Sequence, residues 1–273
     1  MTADRQAPSG RTVDVAVIQF SAKPGDVSGN VRRLTDEVRR YGPGADLVVA
    51  PELATTGYDL DLFRDEASDL AGPLTGPAVE ALTRATVEVA TTLVCGVLEL
   101  ADEAIYDALV TITPDGSVTS YRKTHLYPPE MESFAAGHAL GVVHTPAGAL
   151  GPLICFEHAF PEIATTLALR GAEILVIPSA VPIGYEHLLT LRTRARAQDN
   201  QVFAIGCDMT GYGFCGHSLV VGPRGEVLAS AGPEETVLTA HLDLGAVPRE
   251  REVEPALRLR RPELYLPRAP EHE

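Results

Sequence analysis

The sequence predicts an α/β fold, a single domain with two sheets that helices cover, and three observations support this. Apolar runs rich in β-branched residues alternate with segments of helical periodicity through both halves of the chain. With 273 residues, 45% of them hydrophobic, the chain can bury a large core. No linker divides the chain and no repeat of solenoid period is visible, so the elements are expected to form one domain.

The first half of the chain begins with a strand, a helix and a second strand. Residues 13–20 (VDVAVIQF) combine alternation with β-branched side chains, and residues 27–41 carry apolar side chains at helical spacing. The nearly all-apolar run 45–50 is typical of a strand buried on both faces. A helix, a strand and a hairpin are then predicted at 75–91, 93–100 and 106–122.

The second half repeats this alternation and ends in an arm. Strands are predicted at 142–154 (broken at 146–148), 172–177, 202–207, 219–222, 227–230 and 237–242, and helices at 162–170 and 185–201. Residues 1–10 are polar and expected to be frayed, and residues 11–244 are expected to form the domain. Residues 245–273 are rich in Pro, Arg and Glu, so they are interpreted as an arm packed on the domain or on a partner subunit.

Composition excludes several classes of protein. The formal net charge of −15 argues against nucleic-acid partners and anionic membranes. The N-terminus lacks the apolar stretch of a signal peptide and no run of about 18 apolar residues occurs, so a cytoplasmic protein without a membrane span is expected. Four cysteines in a chain of this length do not predict a disulfide framework. Cys207, Cys215 and His217 match no common zinc spacing, so no metal is expected there.

The stretch 151–162 (GPLICFEHAFPE) places a single thiol, Cys155, where a strand ends and a helix begins. Pro161 suits the first turn of that helix, because its missing N–H would have no partner there anyway. A cysteine at such an elbow is exposed and can lie among backbone N–H groups, as a nucleophilic thiolate requires. Burial as a small hydrophobic residue is the ordinary alternative for one isolated cysteine, and two other stretches decide against it.

Glu52 in APELATTGY and Lys123 in YRKTHLYPPE also follow predicted strands, and such positions tend to converge on one crevice. A free thiol has a pKa of about 8.5, so it needs help to ionise at neutral pH. We therefore expect Glu52 to be the general base and Cys155 the nucleophile. Lys123 and the backbone N–H of Phe156 would hold the oxyanion of a tetrahedral intermediate.

Two further observations bear on this hypothesis. The chain has 20 arginines and only two lysines, Lys23 and Lys123. Lysine can lose its proton and arginine cannot, so a proton-transfer role at position 123 would not accept arginine. A Cys–His pair with His125 or His158 is the second way to activate the thiol, but neither histidine has the expected Asn or Asp context.

These motifs give the chain a family resemblance. Three motifs occur in the order and at the separations of the nitrilase superfamily of carbon–nitrogen hydrolases. They are PELATTGY, RKTHL with the E, F and G that follow it, and ICFE with FPE. The resemblance runs from Val15 to Tyr265 and includes the stretches 194–200, 216–229 and 260–265. It implies a four-layer αββα sandwich of two mixed sheets with helices outside. It also implies a Glu52–Lys123–Cys155 triad, a thioester intermediate, no metal or organic cofactor, and a homodimer.

The resemblance further implies a second acid in the loop after the lysine. Counting back from Phe134 and Gly137 assigns it to Glu130, which would orient Lys123 or the attacking groups, while Glu132 is interpreted as a solvated charge. The candidate substrate-binding residues are Tyr58, Phe156 and Glu157. Packing is the alternative for Tyr58, and Glu157 is also expected to hold the elbow in place.

The sequence departs from its relatives at two polar positions and one aromatic position. Asp107 and Asp208 stand where relatives commonly carry asparagine, and aspartate cannot donate as an amide does, so both are expected to alter polar contacts near the site. Phe156 stands where nitrilases proper often have tryptophan, and the chain has no Trp. CFEH still resembles the CWEH of the nitrilase branch, but the chain lacks the extensions of nitrilases proper.

The preferred function is therefore hydrolysis of a small, non-peptide amide to an acid and ammonia. N-carbamoyl hydrolase, nitrilase and acyl transferase activities remain open, as does a catalytically silent binding subunit on the same fold. Arg192, Arg194 and Arg196 are interpreted as a helix face, with recognition of a substrate carboxylate as the alternative. The physiological substrate does not follow from the sequence.

Overall fold

Residues 10–265, the part of the chain that the computed structural model describes, form two six-stranded sheets, a two-stranded ribbon and six α-helices. The strands are β1 (Thr12–Gln19), β2 (Leu47–Val49), β3 (Thr92–Ala101), β4 (Ala104–Ile112), β5 (Val118–Arg122), β6 (Val143–Thr145), β7 (Gly148–Pro152), β8 (Ile174–Ser179), β9 (Phe203–Asp208), β10 (Thr210–Gly211), β11 (Phe214–Cys215), β12 (Leu219–Val221), β13 (Val227–Ser230) and β14 (Thr236–Asp243). The helices are α1 (Val27–Tyr41), α2 (Leu60–Leu70), α3 (Pro77–Val89), α4 (Pro161–Leu169), α5 (Glu186–Asn200) and α6 (Ala246–Val253).

The two sheets share one plan. The first has the order β14-β1-β2-β3-β4-β5 and the second, read from its β6 edge, the order β6-β7-β8-β9-β12-β13. In both, the second, third and fourth strands are parallel and the other neighbours pair antiparallel. Parallel neighbours need crossover connections, which α1, α2 and α3 supply to the first sheet and α4 and α5 to the second.

The sheets pack face to face through β1 and β9. The thiol of Cys207 on β9 lies 3.5 Å from the backbone oxygens of Ile18 and Val49, which belong to β1 and β2. Apolar side chains of both sheets, such as Val17 and Ile205, are fully buried in one core. Because the crossover helices cover the outer faces, the four-layer αββα sandwich implied by the motifs is confirmed.

Most elements lie where the sequence predicts them, and helix α1 has the predicted bounds. Helix α2 is an element that the apolar pattern does not predict, because it buries only Phe63 and Ala67. Its start signal is Asp59, whose side chain accepts hydrogen bonds from the N–H groups of Asp61 and Leu62.

The described part of the predicted arm begins with α6, which packs on the domain through the buried side chain of Val247. The side-chain amide of Gln201 donates to the backbone oxygens of Glu250 and Glu254. Residues 1–9 and 266–273, and with them nearly all of the segment predicted to be frayed, lie outside the described residues. Within residues 10–265, no helix is both long and apolar enough to cross a membrane.

Candidate active site

Four ionisable side chains meet in one cluster, and three of them lie in or just after strands of the first sheet. Glu52 follows β2, Asp107 lies in β4, Lys123 follows β5, and Glu130 lies in the 3-10 turn 128–132. The ammonium nitrogen Nζ of Lys123 lies 2.6 Å from Oε1 of Glu52, 2.7 Å from Oε1 of Glu130 and 3.0 Å from Oδ2 of Asp107. The structure thus brings two members of the expected triad and the second acid into direct contact.

This ion-pair cluster is shut off from water, since all four side chains are at most 1% exposed. Burial raises the pKa of Glu52 well above its ordinary value, Lys123 opposes this, and Asp107 and Glu130 add to it. Burial also raises the pKa of Glu130. Burial would lower the pKa of Lys123, but the three carboxyl groups outweigh it and hold that pKa well above its usual range. Lys123 therefore stays charged, which favours charge stabilisation over proton transfer as the reason for a lysine here.

The cluster has the spacing of a cation site, because one oxygen from each of Glu52, Asp107 and Glu130 lies within 4.8 Å of the other two. The ammonium group of Lys123 hydrogen-bonds to all three carboxyl groups and takes the place that a cation would fill.

Cys155 lies three residues after the end of β7, at the start of a 3-10 turn that runs to Ala159, and its φ is +42°. A positive φ is uncommon for a residue with a side chain, so it marks a strained elbow. The residue is partly exposed. Burial and then the charge of Glu52 raise the thiol pKa well above its ordinary value, whereas Lys123 and the backbone amide of Ala180 lower it. Among the charged groups, Glu52 has the largest effect on the pKa of this thiol.

Glu157 ties the elbow to the neighbouring segments, and its assignment as a substrate-binding residue stays a prediction. The carboxylate is fully buried and accepts hydrogen bonds from the hydroxyl of Tyr121 and the backbone N–H of Ile154. It also accepts from the N–H and the hydroxyl of Thr124 and from the N–H of His125. One carboxylate thus ties the segment after Lys123 to the segment that carries the thiol.

Glu130, like Glu157, accepts several hydrogen bonds. Its Oε1 accepts from the hydroxyl of Tyr58 at 2.7 Å, and its Oε2 accepts from the backbone N–H of Tyr127 at 2.8 Å. Tyr58 is therefore linked to the cluster through Glu130, and it also packs edge-on against Phe63. Glu132 lies outside, exposed and paired with Arg64, as expected for a solvated charge.

Aromatic side chains pack against one another in a cluster that includes Phe156, the residue next to Cys155 in the chain. Phe156 packs edge-on against Tyr127 and Phe160, with ring centroids 5.5 and 5.3 Å apart. The ring of His125 lies on Phe160 at 4.5 Å. Phe156 is partly exposed, so it can contact a ligand that reaches the thiol.

His158 does not favour a Cys–His pair. Its Nε2 lies 3.0 Å from Nη1 of Arg192, and its backbone oxygen accepts from Nε of Arg196. Burial, followed by the charges of those arginines and of Lys123, lowers the pKa of His158 to about 3, so the ring stays neutral. Arg192 and Arg196 therefore brace α5 against the elbow, and Arg194 bonds to the backbone oxygen of Gly225 on the far side.

Asp208 acts on the site through the backbone. Its carboxyl group is fully buried, with Oδ1 accepting from the N–H of Val181 at 2.8 Å and Oδ2 from the thiol of Cys215 at 3.2 Å. Burial raises the pKa of Asp208 to about 8. Asp208 thus fixes Val181. The residue before it is Ala180, whose backbone amide lowers the pKa of the Cys155 thiol.

Sequence reasoning missed the direct bond between Asp107 and Lys123, although the hairpin contained the signal for it. Strands β4 and β5 pair Ala108 with Arg122, and the backbone N–H of Lys123 donates to the backbone oxygen of Asp107. A register centred on the predicted turn 114–116 therefore places positions 107 and 123 opposite each other. The effect of the Ala180 amide on the pKa of Cys155 had no comparable signal in the sequence, because no motif marks that position.

The fold and the cluster beside a strained thiol define a candidate cysteine hydrolase, and comparisons with known proteins give the family. The sequence matches the family model of the carbon-nitrogen hydrolases over residues 14–251. The chain therefore belongs to the carbon–nitrogen hydrolase family, the nitrilase superfamily that its motifs resemble.

Individual relatives cover nearly the whole chain. A hydrolase encoded in the pqqF 5' region of Pseudomonas protegens is 34% identical over 93% of this chain and 91% of that protein. The crystal structure of Nit3 from Saccharomyces cerevisiae, an omega-amidase, is 30% identical with a TM-score of 0.84, over 93% of this chain and 97% of that one. A mutant of the amidase from Nesterenkonia sp. AN1, with the acetamide moiety of fluoroacetamide added covalently at its active-site cysteine, is 26% identical with a TM-score of 0.82, over 95% and 97% of the two chains.

Proposed function

We propose that this protein hydrolyses a small, non-peptide amide to a carboxylic acid and ammonia through a thioester on Cys155. The observation that carries the proposal is the 2.6 Å contact between Lys123 and Glu52 in a buried cluster whose charges act on a thiol at a strained elbow. Amidases and omega-amidases among the relatives support an amide as the substrate class.

In the proposed first step, Sγ of Cys155 attacks the amide carbon while its proton passes to Glu52. The carbonyl oxygen becomes an oxyanion, which the ammonium of Lys123 and the N–H of Phe156 stabilise. That N–H belongs to the first turn of a 3-10 helix, where N–H groups have no partner within the turn. Glu52 then gives its proton to the leaving nitrogen, so ammonia departs and the thioester remains.

In the second step, water replaces ammonia and attacks the thioester carbon. Glu52 accepts the proton of that water, and the same donors hold the second oxyanion. Collapse of this intermediate breaks the C–S bond, and the proton returns to sulfur. The sum is one amide and one water converted to one acid and one ammonia. Glu130, which bonds to Lys123, would orient the ammonium throughout.

A screen of short aliphatic amides, carbamoyl amino acids and nitriles, with ammonia as the readout, tests this function. We expect ammonia from an amide with the wild type and none with Cys155→Ala, whose circular dichroism spectrum should match the wild type. Mass spectrometry of a quenched reaction should find the acyl group on Cys155. Ammonia release by Cys155→Ala would refute the mechanism.

The same screen separates the alternative functions. Carbon dioxide among the products would identify an N-carbamoyl hydrolase, and turnover of nitriles alone would identify a nitrilase. An acyl transferase would form hydroxamate when hydroxylamine is supplied. If Cys155 reacts with iodoacetamide no faster than the three buried thiols, the protein is a silent binding subunit on this fold.

A further inference from the structure

Asp107 adds a third carboxyl group to the buried cluster, and it lies close to Glu52 as well as to Lys123. Its Oδ2 lies 3.0 Å from Nζ of Lys123, and one of its carboxyl oxygens lies within 4.8 Å of one of Glu52. Two ionised carboxylates offer only hydrogen-bond acceptors, so at this distance in a buried site they repel each other unless one of them carries a proton.

The other groups that face Glu52 do not supply the missing proton. Lys123 is the one cation among the described side chains of the cluster, and it is shared by three carboxyl groups. Glu130 accepts hydrogen bonds from Lys123, from the hydroxyl of Tyr58 and from the backbone N–H of Tyr127, and Lys123 and Tyr58 oppose the rise in its pKa that burial causes.

Glu52 and Asp107 accept fewer hydrogen bonds than Glu130 does. Among residues 10–265, Oε2 of Glu52 and Oδ1 of Asp107 are buried and accept no hydrogen bond from a side-chain or backbone donor. A buried acceptor without a partner costs free energy, and two neighbouring carboxylates repel each other. One proton between the two groups relieves both penalties.

We propose that Glu52 and Asp107 share one proton, and that Asp107 is a positioning residue that sets the pH at which Glu52 becomes available as the base. The proposal rests on the role of Glu52 in the proposed function. A carboxylate beside Glu52 strengthens its hold on a proton, so Glu52 becomes a better acceptor for the thiol proton. The consequence is that Glu52 ionises only at a higher pH than it would beside an amide.

The test is Asp107→Asn, which keeps the shape of the side chain and removes the charge. The readout is the pH profile of alkylation of Cys155 by iodoacetamide, followed by mass spectrometry of the peptide that carries this residue. We expect the inflection of the profile to move to lower pH, by about one unit or more, because Glu52 loses its neighbouring carboxylate. An unmoved inflection, or one that moves to higher pH, would overturn the proposal.

Two controls separate this effect from a general disturbance of the fold. Glu99→Gln removes another buried carboxyl group of the same sheet, which bonds to Arg122 and not to Lys123, and it should leave the inflection in place. In a Glu52→Gln background, Asp107→Asn should no longer move the profile, because the group through which it acts is gone. A shift of equal size in that background would show that Asp107 acts on the thiol without Glu52 and would contradict the proposal.

Alkylation needs no substrate, so this experiment is independent of the proposed reaction. If no amide is hydrolysed and the shift is present, the proton-sharing pair stands and the amidase function falls. If amides are hydrolysed and Asp107→Asn leaves the profile unchanged, the function stands and the pair falls. An infrared carboxylic-acid C=O band at neutral pH should also lose intensity in Asp107→Asn, and no loss would count against a shared proton.

Discussion

Nζ of Lys123 and Oε1 of Glu52 lie 2.6 Å apart, and neither side chain is accessible to solvent. Water cannot screen charges in such a place, so each group strongly influences the ionisation of the other. The ammonium is held in place before any substrate arrives, because Asp107 and Glu130 bond to it as well. Catalysis by such a site needs little reorganisation of the protein.

Lys123→Arg keeps the positive charge and should still inactivate the protein. The larger, planar guanidinium does not fit among three carboxyl groups that each lie within 3.0 Å of one nitrogen. We expect ammonia release to fall by about 100-fold or more, the typical loss for one oxyanion donor. We also expect overpacking to cost about 1–3 kcal/mol of unfolding free energy in urea denaturation.

Lys23→Arg is the matched control, because Lys23 is the only other lysine of the chain and its side chain is exposed. Ammonia release and urea midpoint should both equal those of the wild type. Substantial activity in Lys123→Arg would show that a cation of any shape suffices at this position.

Glu157→Gln should loosen the elbow without removing any proposed reacting group. A neutral amide turns its NH2 group toward donors that now bond to a carboxylate, among them Ile154 and Thr124. A buried donor left without an acceptor costs about 1–3 kcal/mol, so the urea midpoint should fall and ammonia release with it. The control is Glu162→Gln, an exposed position in the first turn of α4, where the change should stay within about 0.5 kcal/mol. Equal effects of the two substitutions would be inconsistent with the fastening role of Glu157.

His158 should make the stability of the protein depend on pH. Its pKa is lowered to about 3 from the ordinary value of 6.5 chiefly because it is buried, so acid protonates this histidine in the unfolded chain before it does so in the folded one. The contribution of neutral His158 to stability is present above pH 6.5 and is lost as the pH falls toward 3. The loss can approach about 1.4 kcal/mol per pH unit.

His158→Gln removes this titration and can still accept from Arg192. Between pH 6.5 and about 5, below which carboxyl groups also titrate, the variant should lose less unfolding free energy than the wild type. His144→Gln, at an exposed position in β6, should follow the wild-type curve. Parallel curves for the wild type and His158→Gln would mean that the buried ring does not resist protonation.

Most strands and the contact between Lys123 and Glu52 could be predicted from the sequence. Buried strands show clear runs of apolar residues, and residues at the ends of neighbouring strands converge. The sequence did not predict α2, whose few buried side chains leave little periodicity. It also did not predict the hydrogen bonds of Glu157, because only the fold shows how many donors surround this carboxylate. Ala180 lowers the pKa of the Cys155 thiol through its backbone amide, so the type of residue at this position gives no sign of the effect.

The plan of the two sheets has one more consequence. Glu52, Asp107, Lys123 and Glu130 lie in or after strands of the first sheet, whereas Cys155 follows a strand of the second sheet. The proposed acid–base groups and the proposed nucleophile thus belong to different sheets, and a shift of one sheet along the other would separate them. Residues at the contact between the sheets, such as Cys207, therefore keep the two parts of the proposed site together, and each part depends on the packing of both sheets.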